Sequence, residues 1–269
     1  MDFKVANEWS NKLRKKTFFT NPLFIIQNCF VKDNILLENN KVNEKYPLLV
    51  YFKEYQNISN QIIGTGFDED IKNIERKYSI LKTEDLGIEF FYATNDWINM
   101  AGKKFKDIRR HIHKFSNEHK FNILDSYPKE KIVAFLNAWA EEKRKKSTSR
   151  LTKELFEHEL AESIQNLDLI QNLNYKAIYI EEEGSLLGFC IFFKYYDSLW
   201  VGLMQKTIPN IVGLPQYLYH LKSKSIGINQ TFTTGAEAQD ENLKKFKESL
   251  RPIEIKRICT IYVGDKLTT

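Results

Sequence analysis

The sequence predicts an α/β (α+β) protein of mixed, mostly antiparallel sheets flanked by helices, in two domains at residues 1–125 and 126–269. Three observations carry that expectation. Apolar residues recur at steps of three and four in several stretches, which is the helical period. Other stretches are short apolar runs separated by turns, as at Glu183-Gly184-Ser185 and Asp197-Ser198, the pattern of an antiparallel meander. The 269 residues, 42% hydrophobic with 19 Phe and 13 Tyr, exceed the common size of one domain and can fill a sizeable core.

In the first half, Phe18 to Phe30, Asn34 to Leu37, Pro47 to Tyr55 and Gly87 to Ala93 read as strands, with turns at Asn39-Asn40 and Gly64-Thr65-Gly66. A helix is expected from about Asp68 to Tyr78, and Asn95-Asp96 can cap the helix that follows. The second half opens at Ser126-Tyr127-Pro128, where Asp125 or Ser126 can cap and Pro128 suits a first turn. Ile132, Phe135, Leu136 and Trp139 form the buried stripe of that helix. It is expected to end in a basic loop, Lys143 to Lys146 running into Ser147-Thr148-Ser149. A helix from Thr152 to about Leu167 buries Phe156, Leu160 and Ile164. Strands at Tyr175 to Glu181, Leu186 to Tyr195 and Leu199 to Met204 precede a loop with Pro209 and Gly213. Then come a helix at Leu214 to Lys224, a strand at Gln230 to Thr234, a helix at Glu241 to Leu250 and a strand at Ile253 to Val263. Helix, helix, three strands, helix, strand, helix, strand is the order of a GNAT acyltransferase domain. The first half is compatible with a degenerate copy, so tandem GNAT-like domains are expected.

The charge is unevenly placed. Gly102 to Lys120 holds five Lys and two Arg against Asp107 and Glu118, a net +5 that equals the excess of the whole chain. Phe105, Ile108, Ile112 and Phe115 line one side of this helix, while Lys103, Lys106, Arg110 and Lys114 run down another. Such a local positive field suits a polyanion such as RNA, an anionic headgroup or a phosphorylated cofactor. A solvated face over a core stripe is the plainer reading.

Several classes are disfavoured. The longest apolar stretches, Pro22 to Ile26 and Leu186 to Phe193, fall far short of the roughly 20 residues of a membrane span. The N-terminus lacks a basic segment followed by an apolar one, so a cytoplasmic location is expected. Cys29, Cys190 and Cys259 read as small hydrophobes in a reducing compartment. No metal site is expected, since a helix places His111 and His113 on diverging faces.

Two motifs carry a resemblance. Gly102-Lys-Lys-Phe-x-x-x-Arg109-x-His111-Ile-x-Lys114-Phe115 closely resembles the helix signature of the phosphatidylglycerol lysyltransferase C-terminal-domain family. Leu243-Lys-Lys-Phe-Lys247-Glu-Ser249-Leu-Arg-Pro252 resembles its second signature, which follows an acidic loop. The resemblance spans residues 20 to 263 and extends to the Fem-type peptidoglycan aminoacyltransferases. It implies paired GNAT-like domains that move an aminoacyl group from aminoacyl-tRNA onto a lipid or small-molecule acceptor. The chain departs from the family pattern at Arg110, usually Asn, and in Thr233-Thr-Gly-Ala-Glu-Ala-Gln-Asp240, where Glu237 aligns with the family's Asp. Lipid-modifying members carry a long membrane-embedded segment that these residues lack, which shifts the expectation toward a soluble acceptor.

Acyl transfer from an ester needs a positioned acceptor, a group that manages its proton and donors facing the developing oxyanion, with no protein nucleophile required. Glu237 is the leading acid/base candidate and Asp240 the second, although an Asp before a helix is more often a cap. Lys103, Lys104, Lys106, Arg109, Arg110 and Lys114 are candidates for donor phosphates, with Lys244 and Lys247 three apart on a later helix. Gln205, Gln216 and Tyr219 are candidate pocket residues beside the loop from Lys206 to Gly213. No cofactor is expected beyond the donor, with acyl-CoA the alternative donor. Gln61-Ile-Ile-Gly64-Thr-Gly66 matches a CoA pyrophosphate loop, but Asp68, Glu69 and Asp70 would repel the anion, so it reads as a turn and capped helix. The alternatives are a CoA-dependent N-acyltransferase and a non-catalytic RNA- or membrane-surface-binding module on a degenerate scaffold.

Overall fold

The computed structural model describes residues 3–12, 21–22, 49–50, 61–75, 78–146, 150–236 and 240–265. Most of the strands expected at 18–30 and 47–55, all of that at 34–37, the turn at Asn39-Asn40, Cys29 and Glu237 therefore lie outside the described residues. The chain forms two compact units, Met1–Phe91 with Thr233–Thr269, and Tyr92–Phe232. These bounds differ from a single cut near residue 125, which falls within the second unit.

The first unit contains helix α1 (Phe3–Lys12), strands β1 (Leu49–Val50) and β2 (Gln61–Phe67), and helix α2 (Asp68–Glu75). Strand β3 (Tyr78–Ala93) follows, running into the second unit. After the second unit, β8 (Thr231–Ala236), α8 (Glu241–Ser249) and β9 (Glu254–Asp265) complete the first. Strand β9 pairs antiparallel with β2 on one side and β3 on the other, and β1 adds to β2. Two register shifts, at Ile80/Lys82 and Asp85/Gly87, let the long β3 follow its partner. The glycine pair read as a turn is in the middle of β2. Gly64 pairs with Ile261 on one side and Val50 on the other, so its stretch sits within paired ladders rather than in a loop. The helix expected after it is present.

The second unit holds α3 (Thr94–Asn99), a 3₁₀ turn (Lys103–Phe105), α4 (Lys106–Glu118), β4 (Asn122–Leu124), α5 (Lys129–Lys146), α6 (Arg150–Leu169), β5 (Tyr175–Glu182), β6 (Ser185–Tyr196), β7 (Leu199–Thr207) and α7 (Leu214–Ile226). Strands β4, β5, β6 and β7 form an antiparallel meander. The expected order from α5 to β9 is observed. Ile132, Leu136 and Trp139 are buried as the periodicity required, with Phe189, Ile191 and Phe192 of β6 fully buried in the same unit. One basic cluster differs from expectation: Lys143 to Lys146 form the last turns of α5 rather than a loop. Arg144 bonds Glu157 at 3.1 Å and Lys145 bonds Glu142 at 3.1 Å, the latter a pairing that helical spacing allows. Asn95 and Asp96 also differ, since they lie inside the short α3. Asn95 bonds Asn229 and Asp96 takes Lys104 Nζ at 2.8 Å, leaving α4 without a side-chain cap.

Candidate functional site

The basic helix is built around a turn. Gly102 has φ +78° and ψ −178°, a conformation open essentially to glycine alone. Arg109, one helical turn inside α4, donates from Nη1 to the carbonyls of Met100 and Gly102, the latter at 3.0 Å. Phe105 is fully buried, its ring T-shaped against that of Trp97 with centroids 5.8 Å apart. Ile108, Ile112 and Phe115 complete the buried side as predicted. Gly102, Phe105 and Arg109 of the first motif therefore form one structural device. Arg109, counted among the phosphate candidates, is occupied by two backbone carbonyls, which its fork of donors can hold at once.

The other cations face outward. Lys103, Lys106, Arg110 and Lys114 are exposed, spaced three, four and four residues apart along one line. Arg110 lies 3.2 Å from Asp107 and Lys114 3.9 Å from Glu118, weak exposed pairs that a polyanion can replace. Lys104 is held by Asp96.

Helix α7 carries the second group. Gly213, at φ +93°, precedes it, and a Cβ there would stand 2.0 Å from the His111 carbonyl, so α4 and α7 touch backbone to backbone. Gln205 of β7 donates to the Pro215 carbonyl at 3.3 Å and accepts from Lys222 Nζ at 3.3 Å. Lys222 Nζ also lies 4.2 Å from the Tyr219 ring centre and 4.5 Å from that of Phe232. Tyr219 is 3% exposed and packs against Tyr92, Trp97 and Phe232, so it is a core ring rather than an open wall. Gln216 Oε1 is buried with no hydrogen-bond partner among the described residues.

Sequence reasoning passed over Lys222 and His220. Lys222 is 1% exposed, and burial pushes its ammonium down to about 8, against a weak opposing pull from Cys190, whose own thiol burial pushes up to about 12. His220 Nδ1 sits 2.8 Å from the Trp97 carbonyl. A carbonyl only accepts, so Nδ1 carries the proton and Nε2 keeps its lone pair, while burial lowers the ring's pKa. The signal that could have found the lysine is the stripe Leu214, Leu218, Lys222, which puts it on the same helical row as two core leucines.

The remaining candidates belong to the first unit. Asp240 Oδ1 accepts from Asn242 N at 2.8 Å and Leu243 N at 3.0 Å, which makes it the N-cap of α8 and engages its carboxylate. Lys244 is half-buried, 3.8 Å from Glu241. Lys247 is 5% exposed, and its Nζ donates to the carbonyls of Thr234, Gly235 and Ala236 at 3.2, 2.8 and 3.1 Å. The phosphate pair expected of Lys244 and Lys247 is not formed, because the second ammonium is turned inward onto the end of β8. Glu89, fully buried on β3, accepts from Thr233 Oγ1 at 2.8 Å, and Thr233 in turn accepts from Gly235 N at 3.3 Å.

Residues 64–220, more than half the chain, match the family described as phosphatidylglycerol lysyltransferase, C-terminal. The chain belongs to this family. The match includes the turn at Gly102 and the whole basic helix and ends before the second motif at 243–252. It places the protein among acyltransferases of the lysylphosphatidylglycerol synthase kind, on a mixed α/β fold with GNAT-like element order. No curated protein matches the sequence. A conserved protein of unknown function from Bacteroides thetaiotaomicron VPI-5482 has a similar fold, with TM-score 0.63 and 13% identity over 91% of this chain and 76% of its own. L-PGS from Bacillus licheniformis aligns at TM-score 0.47 and 14% identity over 76% of this chain and 67% of its own. No described helix is long and apolar enough to cross a membrane.

Proposed function

We propose that this acyltransferase takes an aminoacyl group from aminoacyl-tRNA and passes it to a small-molecule or lipid acceptor. The observation that carries the reading is the run of exposed cations Lys103, in the 3₁₀ turn, and Lys106, Arg110 and Lys114, on the helix it leads into, whose other face is core. A stripe of this kind meets a phosphate backbone, whereas the other cations of the first motif are already engaged, Arg109 by carbonyls and Lys104 by Asp96. In the reaction the acceptor's amine or hydroxyl attacks the ester carbonyl, a new amide or ester bond forms, and the ester bond to the tRNA's terminal ribose breaks. The acceptor's proton leaves to a base and the ribose hydroxyl regains one. Glu237 is the base in this reading, by its place in the sequence before the second motif, with Asp240 reserved for its cap.

The test is filter binding of aminoacyl-tRNA across a salt series. The wild type should bind with an affinity that falls steeply as salt rises. Changing Lys103, Lys106 and Arg110 together to Gln should flatten the log-log slope by up to about 0.9 for each phosphate the variant no longer neutralises. Folding stability should change little, because all three side chains are exposed. A wild-type protein that does not bind tRNA sinks the reading; equal slopes for both proteins remove the helix from the binding surface.

A further inference from the structure

Where the basic stripe of α4 stops, a stack of rings begins. Phe115, fully buried, has Phe121 stacked on it at 4.8 Å and 21° and His119 at 5.1 Å and 28°. Tyr217 of α7 closes the edge, 5.4 Å from both Phe115 and Phe121. Phe121, Tyr217 and His119 are each half-buried, so this stack reaches the surface of the unit. His119, the extended residue at which α4 ends, follows Lys114 by five residues, so the stack lies at the C-terminal end of the helix that carries the stripe.

The His119 ring is also held in place. Glu182 accepts from Nδ1 at 2.9 Å with one carboxylate oxygen and from Lys120 N at 2.7 Å with the other. The hydrogen bond from His119 holds the Glu182 carboxyl below its ordinary range, which keeps it charged. A carboxylate in that position repels phosphate. A neutral base, by contrast, gains from flat rings and loses nothing to the charge.

We propose that the half-exposed rings of Phe121 and His119, backed by the buried ring of Phe115, are a docking site for an unpaired nucleobase of RNA whose backbone lies along Lys106, Arg110 and Lys114. It rests on the tRNA reading above and adds a non-electrostatic subsite to it. Aromatic rings beside a basic track are how proteins hold unpaired nucleic acid, and such stacking tolerates any base. The charge of the stripe attracts a polyanion, the flat rings at its end favour one with unpaired bases, and the Glu182 carboxylate places base rather than backbone on them.

The experiment compares wild type, Phe121→Leu and Phe121→Tyr with two probes across a salt series, deacylated tRNA with its unpaired 3′ end and a blunt RNA duplex. Phe121→Leu keeps apolar volume and removes the ring face. It should weaken tRNA binding about tenfold at every salt concentration with the slope unchanged, leave duplex binding as in wild type, and be rescued by Phe121→Tyr. Thermal unfolding of the three proteins checks that the fold is kept. Wild-type affinity for tRNA in Phe121→Leu overturns the stacking site while leaving the tRNA reading intact. Equal weakening for both probes also overturns it, since a duplex offers no unpaired base. If wild type binds neither probe, the tRNA reading fails and the subsite fails with it.

Discussion

Replacing Lys222 by Met should stabilise the protein at neutral pH and reverse sign at high pH. Burial lowers the Lys222 ammonium from 10.5 to about 8. At about 1.4 kcal/mol per pH unit, that drop means burying the charged form costs about 3 kcal/mol relative to the neutral amine. Below about pH 8 folded and unfolded chains both carry the proton and the cost is present in full. Between about 8 and 10.5 the unfolded chain still holds the proton that the folded chain has released, so wild-type stability rises with pH. Met fills similar space without charge, but it leaves the Gln205 amide oxygen without its lysine, which costs about 1 kcal/mol at every pH. The expected net is about 2 kcal/mol in favour of the Met variant at pH 7, a crossing near pH 10, and a slightly more stable wild type above it. Urea unfolding of both proteins from pH 7 to 10.5 measures this directly. A difference that does not change with pH, or a Met variant already less stable at pH 7, refutes the burial argument.

Gly213→Ala should destabilise by about 3 kcal/mol or more, since the new Cβ meets the His111 carbonyl at 2.0 Å on a left-handed backbone; near-wild-type urea midpoints would show that α4 and α7 are not in such close approach. Asp240→Ala should cost about 1 kcal/mol of stability through loss of the α8 cap, while Asp240→Asn stays close to wild type in thermal unfolding. If Asp240→Asn retains stability but loses transfer from aminoacyl-tRNA, the carboxylate has a chemical role that its capping bonds do not account for. Thr233→Val should cost about 1–3 kcal/mol by removing the hydroxyl that donates to the buried Glu89 carboxyl, read from denaturant midpoints. The Glu182 carboxyl, held low by His119, contributes stability that is present above its ordinary value of 4.5 and lost as pH falls through its lower folded value. Glu182→Gln should therefore remove an acid-side dependence of stability, measured by urea unfolding across the acid range.

Much of the second unit is legible in the sequence because its signals are local. The meander from Tyr175 to Thr207 is written in apolar runs and two-residue turns, and α4 to α7 in steps of three and four. The first unit is harder to read. Gly64 and Gly66 look like turn residues one at a time, but two partner strands flank their stretch and hold it extended. The cap expected of Asn95 and Asp96 is absent for a similar reason. Asn229 and Lys104, distant or unremarkable in sequence, offer those side chains better partners than the helix terminus does.

The linear pattern of residues is enough for the element order from α5 to β9, the two-faced character of the basic helix, and the family, through the Gly102 motif. Each depends on residues within a few turns of one another, so a one-dimensional pattern records it. Which charges are available for chemistry is settled by folding. Arg109, Lys247 and Asp240 look like functional groups in a line of letters, yet folding brings backbone carbonyls or amides to each, and hydrogen bonds to those groups hold them. Lys222 looks like a solvated lysine, yet packing against Tyr219 and Phe232 removes its water and moves its titration toward neutrality. The discontinuous first unit is likewise a tertiary fact. It exists because β9 pairs with β2 and β3, joining Phe67 to Ile258 and Ile88 to Arg257 across most of the chain, a long-range pairing that no local periodicity specifies.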